Sequence, residues 1–316
     1  MSNIMEILDN MTTWSLPDIG QDIPHGDMPG DKVDIGPEHI DKSIIIFREL
    51  LKLLPTVMKG SKSNRAVITV CGGSGVGKSE IASLLSYYLN QLGIGSYTLS
   101  GDNYPRRIPK YNDAERLRIF RQSGVKALVE ADMMNKDIFD ILHELQEKED
   151  DANNNYSKKY PWFGTYLNGA ISGLKGYLGT SNEINFDEVT DIVKQFKEGS
   201  NTIWLKRMGR TECDLWYEKV DFSGINVLVI EWTHGNSDNY KGVDIPILLN
   251  STPEETLAHR SSRNRDGKTD SPFTSRVLEI EQQMLNSQAY KAKLIISKSG
   301  ESLTYEEYKA FMAVRS

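Results

Sequence analysis

Apolar positions along the chain fall into two patterns, short unbroken β-branched runs and longer stretches with apolar residues three and four apart. The runs at 65–70 and 226–231 read as buried strands, and those at 96–99, 202–205, 246–250 and 293–297 as further short strands. Helical spacing marks 41–58, 80–91, 113–121, 126–148, 185–198, 275–287 and 305–313, with Pro55 near the end of the first and Gly93 and Gly199 as stops of two others. Strands that alternate with helices predict an α/β domain with a mainly parallel sheet of about five strands between two helical layers. Residues 17–37 are rich in Asp, Gly and Pro and read as a loop lying across the surface.

One junction between the two patterns carries a chemical signature. After the strand at 65–70 the chain runs Gly72-Gly73-Ser74-Gly75-Val76-Gly77-Lys78-Ser79 and re-enters helical spacing, matching G-x-x-x-x-G-K-[ST] between a strand and a helix. Glycines let successive backbone N–H groups turn onto phosphate oxygens, and the helix presents its positive end to the same anion. Lys78 then reaches the β- and γ-phosphates of ATP, and the Ser79 hydroxyl is a ligand for the Mg²⁺ that the nucleotide brings.

Composition narrows the partners. The net charge of −7 and a pI near 5.4 leave no basic field for nucleic acid, so phosphate affinity must be local. The two cysteines, Cys71 and Cys213, offer neither a disulfide framework nor a metal spacing, which suits a reducing cytoplasm. No apolar run is long enough to span a bilayer, and no secretory leader is visible, so no membrane partner is expected.

Further candidates lie where the strands end. Asp102 follows the second strand, where open α/β sheets collect functional groups, and Glu231 closes the buried run at 226–231, where an acid can hold Mg²⁺ or its water. Arg106, Arg107, Arg116 and Arg210 lean toward an anionic acceptor, and 206–210 reads as a basic turn. Between His259 and Lys268, Arg260, Arg263 and Arg265 form a cationic run suited to closing over a transferred phosphoryl group. Residues 156–179 are aromatic and glycine-rich. They suit a flap over the acceptor, an interface that includes self-association into a homo-oligomer, or local packing of a helical insertion.

In this order the motifs resemble the phosphoribulokinase and uridine kinase family of P-loop kinases over about residues 65–297. The phosphate loop at 72–79, the segment Leu99-Ser100-Gly101-Asp102-Asn103-Tyr104, the helix from Asn185-Phe186-Asp187 to Gly199, the end Val229-Ile230-Glu231 and the run Arg260–Asp266 carry the likeness. The resemblance implies a three-layer α/β/α P-loop NTPase fold, ATP and Mg²⁺ as cofactors, and γ-phosphoryl transfer to a hydroxyl of a nucleoside, sugar or sugar phosphate. Lys78, Asp102, Glu231, Arg263 and Arg265 would be catalytic, with Asp102 accepting the hydroxyl proton; Asp102, Tyr104, Arg106, Arg107 and Arg210 would meet the acceptor. It divides the chain into an N-terminal extension at 1–64 and a kinase domain at 65–316, with an insertion near 125–183 and a lid near 259–274. Trp232 stands where the family usually has Gly, and the residues that uridine kinases present to the pyrimidine have no counterparts at 205–210. Two rivals remain. A GTPase-like switch would need Asn-Lys-x-Asp, and Asn135-Lys136-Asp137-Ile138 lacks the last acid; a noncatalytic or regulatory ATP-binding protein would use the aromatic segment as its interaction surface.

Overall fold

The structure, a computed structural model, describes residues 4, 6–7, 14–20, 23–263 and 271–314, with backbone alone at 262 and 263. The chain forms two compact units: residues 1–104, 186–256 and 285–316 make the first, and 105–185 with 257–284 the second.

The first unit is built on β1 (Ala66–Gly72), every residue of which is buried. It lies between β5 (Val227–Glu231) and β6 (Ile245–Leu249), with β2 (Ser96–Ser100) outside β5, and β7 (Leu294–Ile296) then β8 (Ser302–Leu303) outside β6. All neighbours are parallel except the β7–β8 pair. Because successive side chains point to opposite faces, Ile68 and Val70 join Ile46, Phe47 and Leu50 of α1 (Pro37–Gly60) and Ile81, Leu84 and Leu85 of α2 (Lys78–Gln91) on one face. Cys71 turns to the other, among Leu285, Ala289, Tyr308 and Met312 from the end of α8 (Pro272–Gln288), the turn after it and α9 (Tyr305–Ala313). On that second face Phe186, at the start of α6 (Phe186–Lys197), packs on Trp232 and Tyr240. This is the expected three-layer α/β/α P-loop fold.

Three local expectations are corrected. Helix α1 continues past Pro55 to Gly60, because Leu54 and Met58 are fully buried on either side of the proline and their packing outweighs one lost hydrogen bond. The basic turn at 206–210 is instead the end of β3 (Thr202–Met208), paired antiparallel with a β4 (Leu215–Asp221) that its exposed, non-alternating sequence does not announce. Lys206 and Arg207 are buried in it. Finally, the N-terminal loop does not merely cross the surface: Ile19, Ile23 and Ile35 pack on the core, and the Asp27 side chain is inserted beside β2.

The second unit is helical: α3 (Pro109–Glu130), α4 (Lys136–Glu147), α5 (Phe163–Lys175), α7 (Leu257–Arg263) and residues 272–284 of α8. The helical spacing across 126–148 is interrupted, since Asp132 takes a positive φ of 54° and the Asn135 side chain caps α4 by accepting from Ile138 N at 2.9 Å. The glycines of α5 have a packing reason. A β-carbon on Gly169 or Gly173 would fall 2.3 Å from Ala127 Cβ or 1.9 Å from Ser123 Oγ, so they let α5 and α3 approach closely. The aromatic residues around them turn inward: Trp162, Phe163, Tyr166 and Tyr177 are buried, and Tyr166 donates at 2.7 Å to Asp151, which also pairs with Arg121 at 2.8 Å. Of the readings open for 156–179, local packing is the one these contacts match.

Candidate active site

β1 delivers the chain into the phosphate loop, and the loop's shape depends on missing side chains. Gly72, Gly75 and Gly77 have φ of 155°, 75° and 95°, and a β-carbon on Gly72 would press within 2.5 Å of the Leu249 carbonyl. Gly77 is the left-handed N-cap of α2, so the helix starts at Lys78 with its free N–H groups facing the loop. Lys78 Nζ donates to the Gly73 carbonyl at 3.1 Å, resting on an oxygen at the rim of its own loop. Between Gly72 and Gly77 the loop is completed by Gly73, Ser74, Gly75 and Val76, of which Val76 alone is buried.

Parallel pairing brings the acid to this loop. Glu231, the last residue of β5, lies in register with Val70 of β1 and Ser100 of β2. Ser79 Oγ donates to Glu231 Oε2 at 3.3 Å, and Ser100 Oγ donates to Oε1 at 2.5 Å. Glu231 is 3% exposed, and burial raises its pKa to about 8; Asp102 and Asp31 add to the rise, while Lys78 and the Ser100 hydrogen bond oppose it. Asp102 itself is exposed, on the 3₁₀ turn Gly101–Asn103 directly after β2. Thus Lys78, Ser79, Asp102 and Glu231 are gathered at the carboxyl ends of β1, β2 and β5.

The donor set fits Mg²⁺ that arrives with phosphate. Among the described residues no three His, Cys, Asp or Glu converge to hold a metal, so the hydroxyl of Ser79 and the carboxylate of Glu231 would need phosphate oxygens and water to complete a coordination shell.

Other sequence candidates are placed as follows. Tyr104 is fully buried in the first unit; burial, then Asp27 and Glu188, raise its pKa well above the ordinary value, and its hydroxyl has no partner among the described residues. Arg210 is exposed just after β3. Arg106 and Arg107 belong to the second unit, where Arg106 Nε donates to Ser181 O at 2.7 Å and Arg107 Nη1 to Tyr177 OH at 3.0 Å. Arg116 pairs there with Glu183 at 2.5 Å. The Arg263 side chain and Arg265 lie outside the described residues.

Two groups at the site escape a reading of the sequence. Ser100 sits inside the motif at 99–104, and its position at a strand end beside an acid is the available signal. Asp27 has none, because its partners are distant in sequence: its Oδ1 accepts from Ser100 N at 2.8 Å and Asn103 Nδ2 at 2.9 Å, and its Oδ2 from Arg207 Nη1 at 2.8 Å and Tyr97 OH at 2.9 Å.

The chain is 40% identical over 257 residues to the bifunctional alpha-galactosidase/sucrose kinase AgaSK of Mediterraneibacter gnavus. The chain resembles the P-loop kinases of phosphoribulokinase and uridine kinase type. The match with AgaSK takes in 80% of this chain and 23% of that protein, so the chain spans less than a quarter of its relative. Among solved structures, D-glycerate 3-kinase from Cryptococcus neoformans var. grubii aligns over 85% of this chain and 99% of its own, at 10% identity and a TM-score of 0.45. A possible uridine kinase from Bacillus stearothermophilus aligns over 82% and 98%, at 15% identity and a TM-score of 0.40. No family model matches the chain. Among the described residues no helix is long and apolar enough to cross a membrane.

Proposed function

We propose that the protein is an ATP-dependent kinase whose acceptor is a hydroxyl of a neutral sugar. The observation that carries this reading is the meeting of Ser79 and Glu231 at 3.3 Å beside the phosphate loop, with Asp102 near enough to push the Glu231 pKa up. A loop that binds phosphates needs only its glycines and Lys78; an exposed acid on the next strand end, which can act on an incoming hydroxyl, is what a transfer reaction adds.

In this mechanism the acceptor hydroxyl oxygen attacks the γ-phosphorus of ATP, the bond to the bridging oxygen breaks with ADP as leaving group, and the hydroxyl proton passes to Asp102. Because the transition state is loose, Asp102 chiefly orients the oxygen and takes the proton late. Lys78 follows the charge that develops on the β- and γ-oxygens. Ser79 and Glu231 would hold Mg²⁺ that comes with the nucleotide, which would supply neutralising charge to the same oxygens. Entry of a cation also suits Glu231, whose ionised form is disfavoured without one.

A neutral sugar is preferred over a phosphorylated acceptor for two reasons. Arg106, Arg107 and Arg116 are engaged by groups of their own unit, which weakens the lean toward an anionic acceptor. The relative at 40% identity is named for sucrose kinase as well as alpha-galactosidase activity, and of the two only the kinase calls for a phosphate loop.

The test is Mg²⁺- and acceptor-dependent ADP release over sucrose, other disaccharides, monosaccharides, nucleosides and sugar phosphates. Release with neutral sugars, lowered about 10²- to 10⁴-fold in Asp102→Asn with ATP binding retained, supports the assignment. Release confined to nucleosides or sugar phosphates overturns the acceptor class. Nucleotide binding with no acceptor-dependent release across the panel returns the chain to the noncatalytic alternative.

A further inference from the structure

We propose that Asp27, from the N-terminal segment, is a positioning residue that sets the place of Asp102; this rests on the kinase reading above.

The turn that carries Asp102 is pinned on both sides by one carboxylate oxygen. Asp27 Oδ1 accepts from the backbone N of Ser100, just before the turn, at 2.8 Å, and from Asn103 Nδ2, at its end, at 2.9 Å. Asp102 lies between these two anchors, with its own side chain exposed. Ser100 also has a hydroxyl that donates to Glu231 at 2.5 Å, a bond separate from the one its backbone N gives to Asp27. The neighbouring Gly26 lies against them: a β-carbon there would be 3.5 Å from Glu231 Oε1 and 3.6 Å from Ser100 Cβ.

The clamp is itself held from the far side. Oδ2 accepts from Arg207 Nη1 at 2.8 Å and Tyr97 OH at 2.9 Å, and Asn103 Oδ1 accepts from Met208 N at 2.9 Å. Asp27 and Arg207 are 8% and 6% exposed, so these are hydrogen bonds of a buried ion pair with fixed geometry. Every oxygen of Asp27 is spent on protein donors, which excludes contact with substrate as its role. What it holds is the Ser100 backbone and the Asn103 side chain, on either side of Asp102, and a misplacement of about 1 Å at a reacting group can cost on the order of 10²-fold in rate.

The test is a double-mutant cycle in the full chain. Asp27→Asn keeps the Oδ1 contacts but sets an amide N–H against the donors of Arg207 and Tyr97. It is expected to lower kcat about 10- to 100-fold with the KM for ATP within about twofold. On an Asp102→Asn background the same change should cost less than about threefold, since no base remains to be placed, while the fall in Tm is equal in both backgrounds. An equal loss of kcat in both backgrounds makes Asp27 merely structural and overturns the proposal. Wild-type turnover in Asp102→Asn alone removes the base and overturns this proposal, whereas the kinase reading falls only if no acceptor on the panel releases ADP. Where Asp27→Asn does not fold, Asn103→Ser takes one donor from Oδ1 without burying an unpaired charge; it should lower kcat severalfold on the wild-type background only, and unchanged kcat overturns the clamp.

Discussion

A β-carbon placed on Gly101 would stand 2.0 Å from the Trp232 indole, so the residue before Asp102 is glycine because the residue after Glu231 is tryptophan. Trp232 is 1% exposed and packs on Phe186, His234 and Tyr240. Gly101→Ala is therefore expected to cost about 1–3 kcal/mol through overpacking, and Trp232→Ala about 3–5 kcal/mol through the cavity it leaves. In the double variant the new methyl enters that cavity, so its loss should be smaller than the sum. Denaturant unfolding of the three variants checks this, and strict additivity would mean that the two positions do not compete for space.

The amine of Lys78 follows charge that grows on the phosphates during transfer, so its removal should weigh on the transition state more than on binding. For Lys78→Ala we expect turnover to fall by orders of magnitude, with ATP affinity falling less. Turnover by the acceptor assay and affinity by calorimetry measure the two effects separately. Wild-type turnover in this variant would sink the assigned role.

Glu231 ties stability to pH. Burial first, then Asp102 and Asp31, raise its pKa from the ordinary 4.5 to about 8. The folded chain thus binds more protons than the unfolded chain between those values, so this group's contribution to stability is present below pH 4.5 and is lost as pH rises toward 8. Without nucleotide, the wild type should lose Tm relative to Glu231→Gln over that interval. Parallel Tm profiles of the two proteins would contradict the assignment.

The cysteines differ in chemistry as well as position. Cys71 is fully buried at the end of β1, and burial pushes its thiol up to about 12, whereas Cys213 is exposed. An alkylating reagent should modify one thiol of the native chain, at Cys213, and both after unfolding. Rapid labelling of Cys71 in the folded protein would show that β1 opens far more readily than its burial implies.

What was legible in the sequence was local. The strand, loop and helix around Gly72–Ser79 announce themselves because a buried β-branched run, a glycine loop and a helix start each depend on neighbouring residues, and Asp102 and Glu231 could be read as acids at strand ends for the same reason. The aromatic segment at 156–179 was legible as unusual but not as packed, since whether Trp162 or Tyr166 turns inward depends on α3 across from it. Pro55 marks a helix end by local rules, yet α1 runs through it because tertiary burial of Met58 is worth more than the missing bond.

The sequence by itself determined the chemistry of the phosphate loop and the order of strands and helices. Only the tertiary structure decided that β5 lies between β1 and β2, which is what carries Glu231 to Ser79 and Ser100. It alone decided that Asp27 joins Arg207, a partner 180 positions away, across the turn that bears Asp102. The physical reason is the same in both cases: a hydrogen bond between side chains that meet only in the folded chain leaves no periodicity, spacing or composition behind in the sequence.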